Sequence, residues 1–379
     1  MTRMWFTKRR MFRIGLIIAI GIAIIIFVIN DYNLYSTPIG KISNIKETYQ
    51  KTEQGYDNNY KYNEKYYTQK ITATIMNGSQ KGQTIILENT YGESCVYDTK
   101  YSVGNDVFIE NIKGISENQK YITGSISTTK RDYFLVVVLV LLFGLFLIIG
   151  GKHGALTIAS LVINMVAFYY VLLLYTKGYN ILVLTIPMTI FFTLMLLFFM
   201  YGLNEKTWIA AAATLATATF VWVIAAIVLH FSGQVDYDFM DYLTQPYEQN
   251  DANLIFLSEI LVGSLGAIMD VVITIVMTVN QIVITAPDSS IKALKKSCRN
   301  VGDDLVGTMI NVMFFTNIAA IIPFFILSMR NGIEFKTIIR YNVFFELARF
   351  LTGSIGVVLA IPISGFIAIY YYKKKVKKC

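Results

Sequence analysis

Glu259, Gly263, Gly266 and Asp270 lie within one hydrophobic run and follow one another at spacings of 4, 3 and 4. At 3.6 residues per turn this spacing sets two carboxylates and two glycines on one helix face. The run from Leu254 to Val279 is otherwise mostly apolar and long enough to span a bilayer. A carboxylate held in lipid is costly and is usually kept for an ion path, a proton relay or a specific ion pair. Glu259 and Asp270 are therefore expected to serve as ion or proton ligands roughly 16 Å apart along the axis. The same pattern returns about ninety residues later, where Glu346, Arg349, Gly353 and Gly356 share a face. Three residues apart, Glu346 and Arg349 can neutralise one another as a gating or structural pair, and Arg349 can instead reach Glu259 or Asp270. Asn311 is the expected uncharged lining group.

Gly263-Ser264-Leu265-Gly266 and Gly353-Ser354-Ile355-Gly356 form an internal repeat. Small residues let helix backbones approach closely, so packing is the expected role of Gly263, Ser264, Gly266, Gly353, Ser354 and Gly356. With one helix between them, the two repeats are expected to run in the same direction. The alternative is a helix broken at the glycines, offering carbonyls to an ion.

Of the 379 residues, 55% are hydrophobic and 15% charged, and mean hydropathy is +0.52. Soluble domains carry about a quarter charged residues, which places this chain in the membrane class. Its net charge of +8 is concentrated beside the apolar runs, so membrane orientation rather than nucleic acid accounts for it. Three cysteines without CxxC spacing and two histidines exclude a disulfide framework and a multi-histidine metal centre. No P-loop, HExxH, GxSxG or paired GxGD motif is present. No catalytic residue, cofactor or metal is expected, and an enzyme is the least favoured reading.

The expected fold is an all-α membrane bundle of about eight transmembrane helices with an inserted β-rich small barrel or sandwich outside the cytoplasm. Residues 1–30 form a cytoplasmic stub and an uncleaved anchor, apolar from Ile14 to Ile29. Residues 31–131 alternate in short pieces such as Lys70–Met76, ended by Asn77-Gly78, and form the barrel or sandwich, of OB or SH3-like kind. Residues 132–372 carry seven helices, at about 133–149, 154–175, 181–201, 207–231, 254–279, 305–328 and 342–371. Residues 373–379 are a basic cytoplasmic tail.

Arg3, Lys8, Arg9, Arg10 and Arg13, the 280–304 loop with Lys292, Lys295, Lys296 and Arg299, and the lysines from Lys373 all fall on one side, which is read as cytoplasmic. The 232–253 loop opposite is acidic, with Asp236, Asp238, Asp241, Glu248 and Asp251; the 329–341 loop, with Arg330, Lys336 and Arg340, dissents. Ile291, Leu294, Cys298, Val301 and Leu305 recur at 3 and 4 and predict an amphipathic helix lying on the membrane surface.

The blocks Gly263–Asp270, Gly307-Thr308-Met309-Ile310-Asn311, Glu346-Leu347-Ala348-Arg349 with Gly353–Gly356, and Ile361-Pro362-Ile363 resemble the YibE/F-like family of bacterial multi-pass membrane proteins. The resemblance covers about residues 130–370. It departs at Gly302-Asp303-Asp304, where the family pattern has a glycine followed by Arg-Asp. It implies a plasma-membrane protein, often encoded beside a similar paralogue, and no settled activity. Secondary transport of an ion or small solute is the leading expectation. The rival is a non-transporting assembly or scaffold protein that pairs with a paralogue, or with itself, and recruits partners through its outer domain.

Overall fold

The computed structural model describes residues 8–57, 60–113, 122–232 and 249–376. Asp236, Asp238, Asp241 and Glu248 of the acidic loop lie outside these, as do Arg3, Lys377 and Lys378. The chain divides into two compact units, Met1–Ala155 and Leu156–Cys379.

The first unit contains helix α1, Lys8–Ile29, basic in its first two turns and apolar on every face from Ile14, followed by a short 3-10 turn, Tyr32–Leu34. Five strands follow: β1 Ile39–Asp57, β2 Tyr60–Ile75, β3 Thr84–Gly92, β4 Asp106–Lys113 and β5 Ile122–Thr129. They close into a barrel in the order β1-β2-β3-β5-β4, with β3 and β5 parallel and the other pairs antiparallel. This is a Greek-key barrel of the OB kind. Alternation dictates its filling: Ile71, Ala73 and Ile75 on β2 and Ile85 and Leu87 on β3 point inward and meet Ile42, Val107, Ile109 and Ile122. The β1–β2 hairpin stays paired to Asp57↔Tyr60, with register shifts at Ile42/Asn44 and Tyr49/Lys51. Buried Asn77 fixes the chain's entry, accepting from the Ile39 amide at 2.6 Å and donating to the Tyr35 and Thr37 carbonyls.

A buried cation ties the barrel to its flanking helices. Lys130 Nζ lies 2.9 Å from Asp31 Oδ1, 2.9 Å from Asp132 Oδ1 and 2.8 Å from the Val28 carbonyl. Tyr35 donates to Asp132 at 2.6 Å, and Tyr32 donates to Asp106 at 3.0 Å. Burial opposes the Lys130 charge, but its bonds to Asp31 and Asp132 outweigh burial and hold the ammonium above its ordinary pKa. Burial pushes the Asp106 carboxyl up. It also lifts the Tyr32 hydroxyl to about 12, helped by the charge of Asp106.

Helix α2 spans Asp132–Tyr175, 44 residues, and is interrupted at Gly151, whose φ of 56° and ψ of −122° are not helical. The Phe146 carbonyl takes the place that a Cβ on Gly154 would fill, so the chain bends sharply between them. Among the described residues, seven helices are long and apolar enough to cross a membrane, where the sequence predicts about eight. The difference lies here: the helices expected at 133–149 and 154–175 are two limbs of one element bent at a glycine.

The second unit holds α3 Ile181–Tyr201, α4 Glu205–Ser232, α5 Gln249–Thr285, α6 Ile291–Arg330, the single turn α7 Phe335–Ile338, a π-turn at Ile339–Val343, and α8 Phe344–Val376. Helix α5 is the most enclosed of the long helices. It runs parallel to α8, with Glu259 beside Arg349, Ser264 beside Gly353, Ile268 beside Gly356 and Ile275 beside Gly365. Helix α6 runs antiparallel to α8, with Cys298 at Gly365, Gly302 at Ile361 and Met313 at Gly353. The amphipathic stretch expected on a membrane surface is the first part of α6, continuous with the rest of that helix. No proline or turn interrupts 291–322; of its apolar stripe, Leu294 and Cys298 are buried in the core, Val301 and Leu305 pack partly against it, and Ile291 is exposed.

Candidate functional site

The π-turn delivers the chain into α8 so that Glu346 and Arg349 fall in its first turns, facing α5. Arg349 Nη2 lies 2.6 Å from Glu259 Oε2, and Arg349 Nη1 lies 2.7 Å from Glu346 Oε2. One guanidinium thus holds two carboxylates on its two terminal nitrogens, and the cluster carries a formal charge of −1. Planar, permanently charged arginine suits this double role better than lysine. Arg349 Nε is buried without a hydrogen-bond partner. The Oε1 atoms of Glu259 and Glu346 make no hydrogen bond or ion pair recorded among the described residues.

The cluster forms part of the wall of a cavity of about 500 Å³. The second limb of α2 contributes Phe168, Val171, Leu172 and Tyr175; α3 contributes Ile181, Thr185 and Met188. Ile255, Ser258, Glu259, Val262 and Gly263 come from α5, Glu346 and Arg349 from α8. Ser258 is only 6% exposed, and its hydroxyl has no hydrogen-bond partner. The Thr185 hydroxyl is occupied by the Ile181 carbonyl at 2.8 Å, the first of a stripe that continues through Thr189 and Thr193. A crevice on the other flank of Glu346, lined also by Phe314 and Asn317, holds only about 10 Å³, room for about one water.

The candidate residues fall into separate places. Glu259, Glu346 and Arg349 meet at the cavity, and Gly263 lines it. Asp270 lies further along α5 on an exposed face, with Tyr201 of α3 within electrostatic reach; its carboxylate has no hydrogen bond or ion pair among the described residues. Asn311 is exposed, donates to the Gly307 carbonyl at 2.8 Å, and does not line the cavity.

The two glycine motifs divide as well. Gly353 and Gly356 pack closely, against Met313 and against Val221 with Ile268, and Ser264 faces Gly353. A Cβ at Gly263 or Gly266 would meet nothing within 4 Å, so these two are not packing positions in this chain. Ser264 and Ser354 spend their hydroxyls on the Ile260 and Phe350 carbonyls, and both helices run unbroken through the motifs.

Ser258, Tyr175 and Leu172 carry no sequence signal, since a serine or tyrosine in an apolar run is ordinary; the i, i+4 spacing of Thr185, Thr189 and Thr193 is a signal that points to the lining face of α3. Among the described residues, no group of three or more His, Cys, Asp or Glu is placed to hold a metal ion.

No curated protein and no solved structure matches the chain. Residues 33–129, which contain the barrel, match the YibE/F family N-terminal domain. Residues 138–374, which contain the cavity, the ion cluster and both glycine motifs, match the family described as YibE/F-like protein. With more than half its length covered by that match, the chain belongs to the YibE/F-like family.

Proposed function

We propose that this chain is an integral plasma-membrane protein that moves an ion or small solute by secondary transport, with the Glu259–Arg349–Glu346 cluster as its binding site. The observation that carries this reading is the opening of a net-negative, hydrogen-bonded ion cluster into a cavity of about 500 Å³. Charges kept in a bundle interior are expensive and mark pathways. Twenty-one residues separate Arg349 from Tyr370, roughly 30 Å of helix and so about one hydrocarbon thickness. Tyr370, Tyr371 and Tyr372 are followed by Lys373, Lys374 and Lys375, an aromatic and basic border of the kind found at the cytoplasmic interface. Lys373 reaches the Pro287 carbonyl and Lys375 reaches Glu205, which sets the ends of α5 and α8 and the start of α4 on that side. The cluster then lies toward the opposite face. The bend at Gly151 supports reading α2, about 66 Å of helix in all, as two crossings, and the loop charges support a barrel outside the cytoplasm.

Flux in proteoliposomes across a panel of ions and small solutes tests the reading. Wild type is expected to carry one of them, with Glu259→Gln and Arg349→Met inactive and Asp270→Asn, away from the cavity, close to wild type. Equal flux in wild type and all three variants would remove the assigned site.

A second reading, a non-transporting assembly protein that pairs with a paralogue or with itself, draws on Asp270. That carboxylate, with open Gly266 one turn away, lies on a face this chain leaves uncovered. Cysteine cross-linking at position 266 in native membranes would report such a pair.

A further inference from the structure

Resting on the transport reading above, we infer that the cavity takes an organic monocation: an ammonium or amidinium group between Glu259 and Glu346, with an apolar body against α2 and α3. Three observations select this class. The first is charge: two carboxylates share one guanidinium, so the cluster is short of one positive charge, and a low-dielectric site favours a ligand that supplies it. An anion would have to displace a carboxylate from Arg349 and would meet a net-negative wall.

The second is the pattern of open valences. Both carboxylates use Oε2 on Arg349, leaving both Oε1 atoms unengaged among the described residues, and the buried Ser258 hydroxyl of the same lining has no partner. Three acceptor positions in one lining match a group with several N–H donors, and their hydrogen bonds to charged partners are the strong ones. The third is size and lining. About 500 Å³ far exceeds a bare metal ion and falls in the range of small-molecule sites. The same lining includes Phe168, Leu172, Tyr175 and Met188 from α2 and α3, which would exclude water from an aliphatic or aromatic body. Phe168 and Tyr175 also offer ring faces of the kind that attract cations.

The test uses the full chain in nanodiscs and phenethylammonium, with the neutral phenethyl alcohol and sodium ion as comparators, read by titration calorimetry. Phenethylammonium is expected to bind with one site per chain, and the alcohol at least tenfold more weakly. Glu346→Gln is expected to weaken phenethylammonium at least tenfold. Leu172→Trp, which fills the cavity without touching the charges, should abolish binding. Equal affinity for the alcohol and the ammonium in wild type would overturn the inference without reference to any variant, as would phenethylammonium binding unchanged by Leu172→Trp. Proteoliposome flux separates this inference from the one beneath it. Sodium or proton flux that phenethylammonium does not inhibit would overturn the organic-cation assignment and leave transport standing. Saturable binding with the expected variant pattern but no flux of any solute would sustain the assignment and end the transport reading.

Discussion

Each half of the molecule sets one cation among carboxylates, with opposite results. In the barrel unit, Lys130 is 2% exposed, and its ammonium is satisfied by Asp31, Asp132 and the Val28 carbonyl; the Tyr35 ring closes over it at 5.4 Å. In the helical unit, Arg349 is 17% exposed and Glu259 41%, and both line a cavity. The charge arithmetic is alike, one cation to two carboxylates. Space separates the two: without room for a ligand the Lys130 cluster is a joint, whereas the Arg349 cluster has the room that the proposed site needs.

The sharpest way to break this contrast is to delete each cation. Lys130→Met leaves Asp31 and Asp132 without their counter-ion, where truncating one partner of a buried pair costs about 3–5 kcal/mol. The barrel unit is expected to melt well below wild type and to be cut by protease under conditions in which wild type survives. Arg349→Met exposes its two glutamates to a cavity that can hydrate them, so its stability loss is expected to stay under about 2 kcal/mol while flux disappears. A melting loss for Arg349→Met as large as that for Lys130→Met would show that both clusters are joints.

Much of this was readable in advance, and the failures share a cause. The single helix between the two GSxG motifs signalled parallel helices, and α5 and α8 do meet at Ser264–Gly353 and Ile268–Gly356. The Glu346–Arg349 pair followed from its spacing. Periodicity also marked the stripe Ile291–Leu305, but the same apolar face suits a lipid surface and a neighbouring helix; only Gly365 and Ile361 across from it decide between them. The two glycine motifs look alike in one dimension, yet Gly266 faces open space and Gly356 a packed neighbour. The Lys130 joint has its own trace in the sequence: Asp31 follows the anchor and Lys130 precedes the next helix, so opposite charges bracket an inserted domain whose ends must meet.

The glycines extend the closed-versus-open contrast to packing. Gly356→Leu is expected to drive its side chain into Val221 and Ile268 and to cost about 1–3 kcal/mol by overpacking. Gly266→Leu meets no neighbour within this chain and is expected to leave melting within about 0.5 kcal/mol of wild type. Should Gly266→Leu instead destabilise the protein in membranes but not as a dispersed single chain, the uncovered face belongs to an interface.

The closed side has a signature in alkali. Tyr32 holds its proton to about 12 when folded, against 10.0 ordinarily, because burial and Asp106 disfavour the phenolate. Between those values the folded chain keeps a proton that the unfolded chain has lost, so stability falls as pH rises from about 10 to 12. Tyr32→Phe is expected to remove that part of the slope and to leave melting near neutral pH little changed. An unaltered alkaline slope would mean that the Tyr32–Asp106 bond opens readily, which would weaken the description of this cluster as closed.

A third cation–carboxylate contact sharpens the contrast from the solvent side. Lys375 meets Glu205 at 2.6 and 2.9 Å, as short as any contact at Arg349, yet the two side chains are 53% and 54% exposed. If distance set the strength of these contacts, Glu205→Gln would rival the internal deletions. If burial sets it, exposed ions keep most of their hydration whether paired or not, and the pair contributes about 0.5 kcal/mol or less. That remainder should fade as salt shortens the Debye length toward about 3 Å at 1 M. Melting curves of wild type and Glu205→Gln at low and high salt are therefore expected to lie close together at low salt and to coincide at high salt. A loss above about 2 kcal/mol that persists in high salt would place this contact with Lys130, and exposure would then no longer distinguish the three.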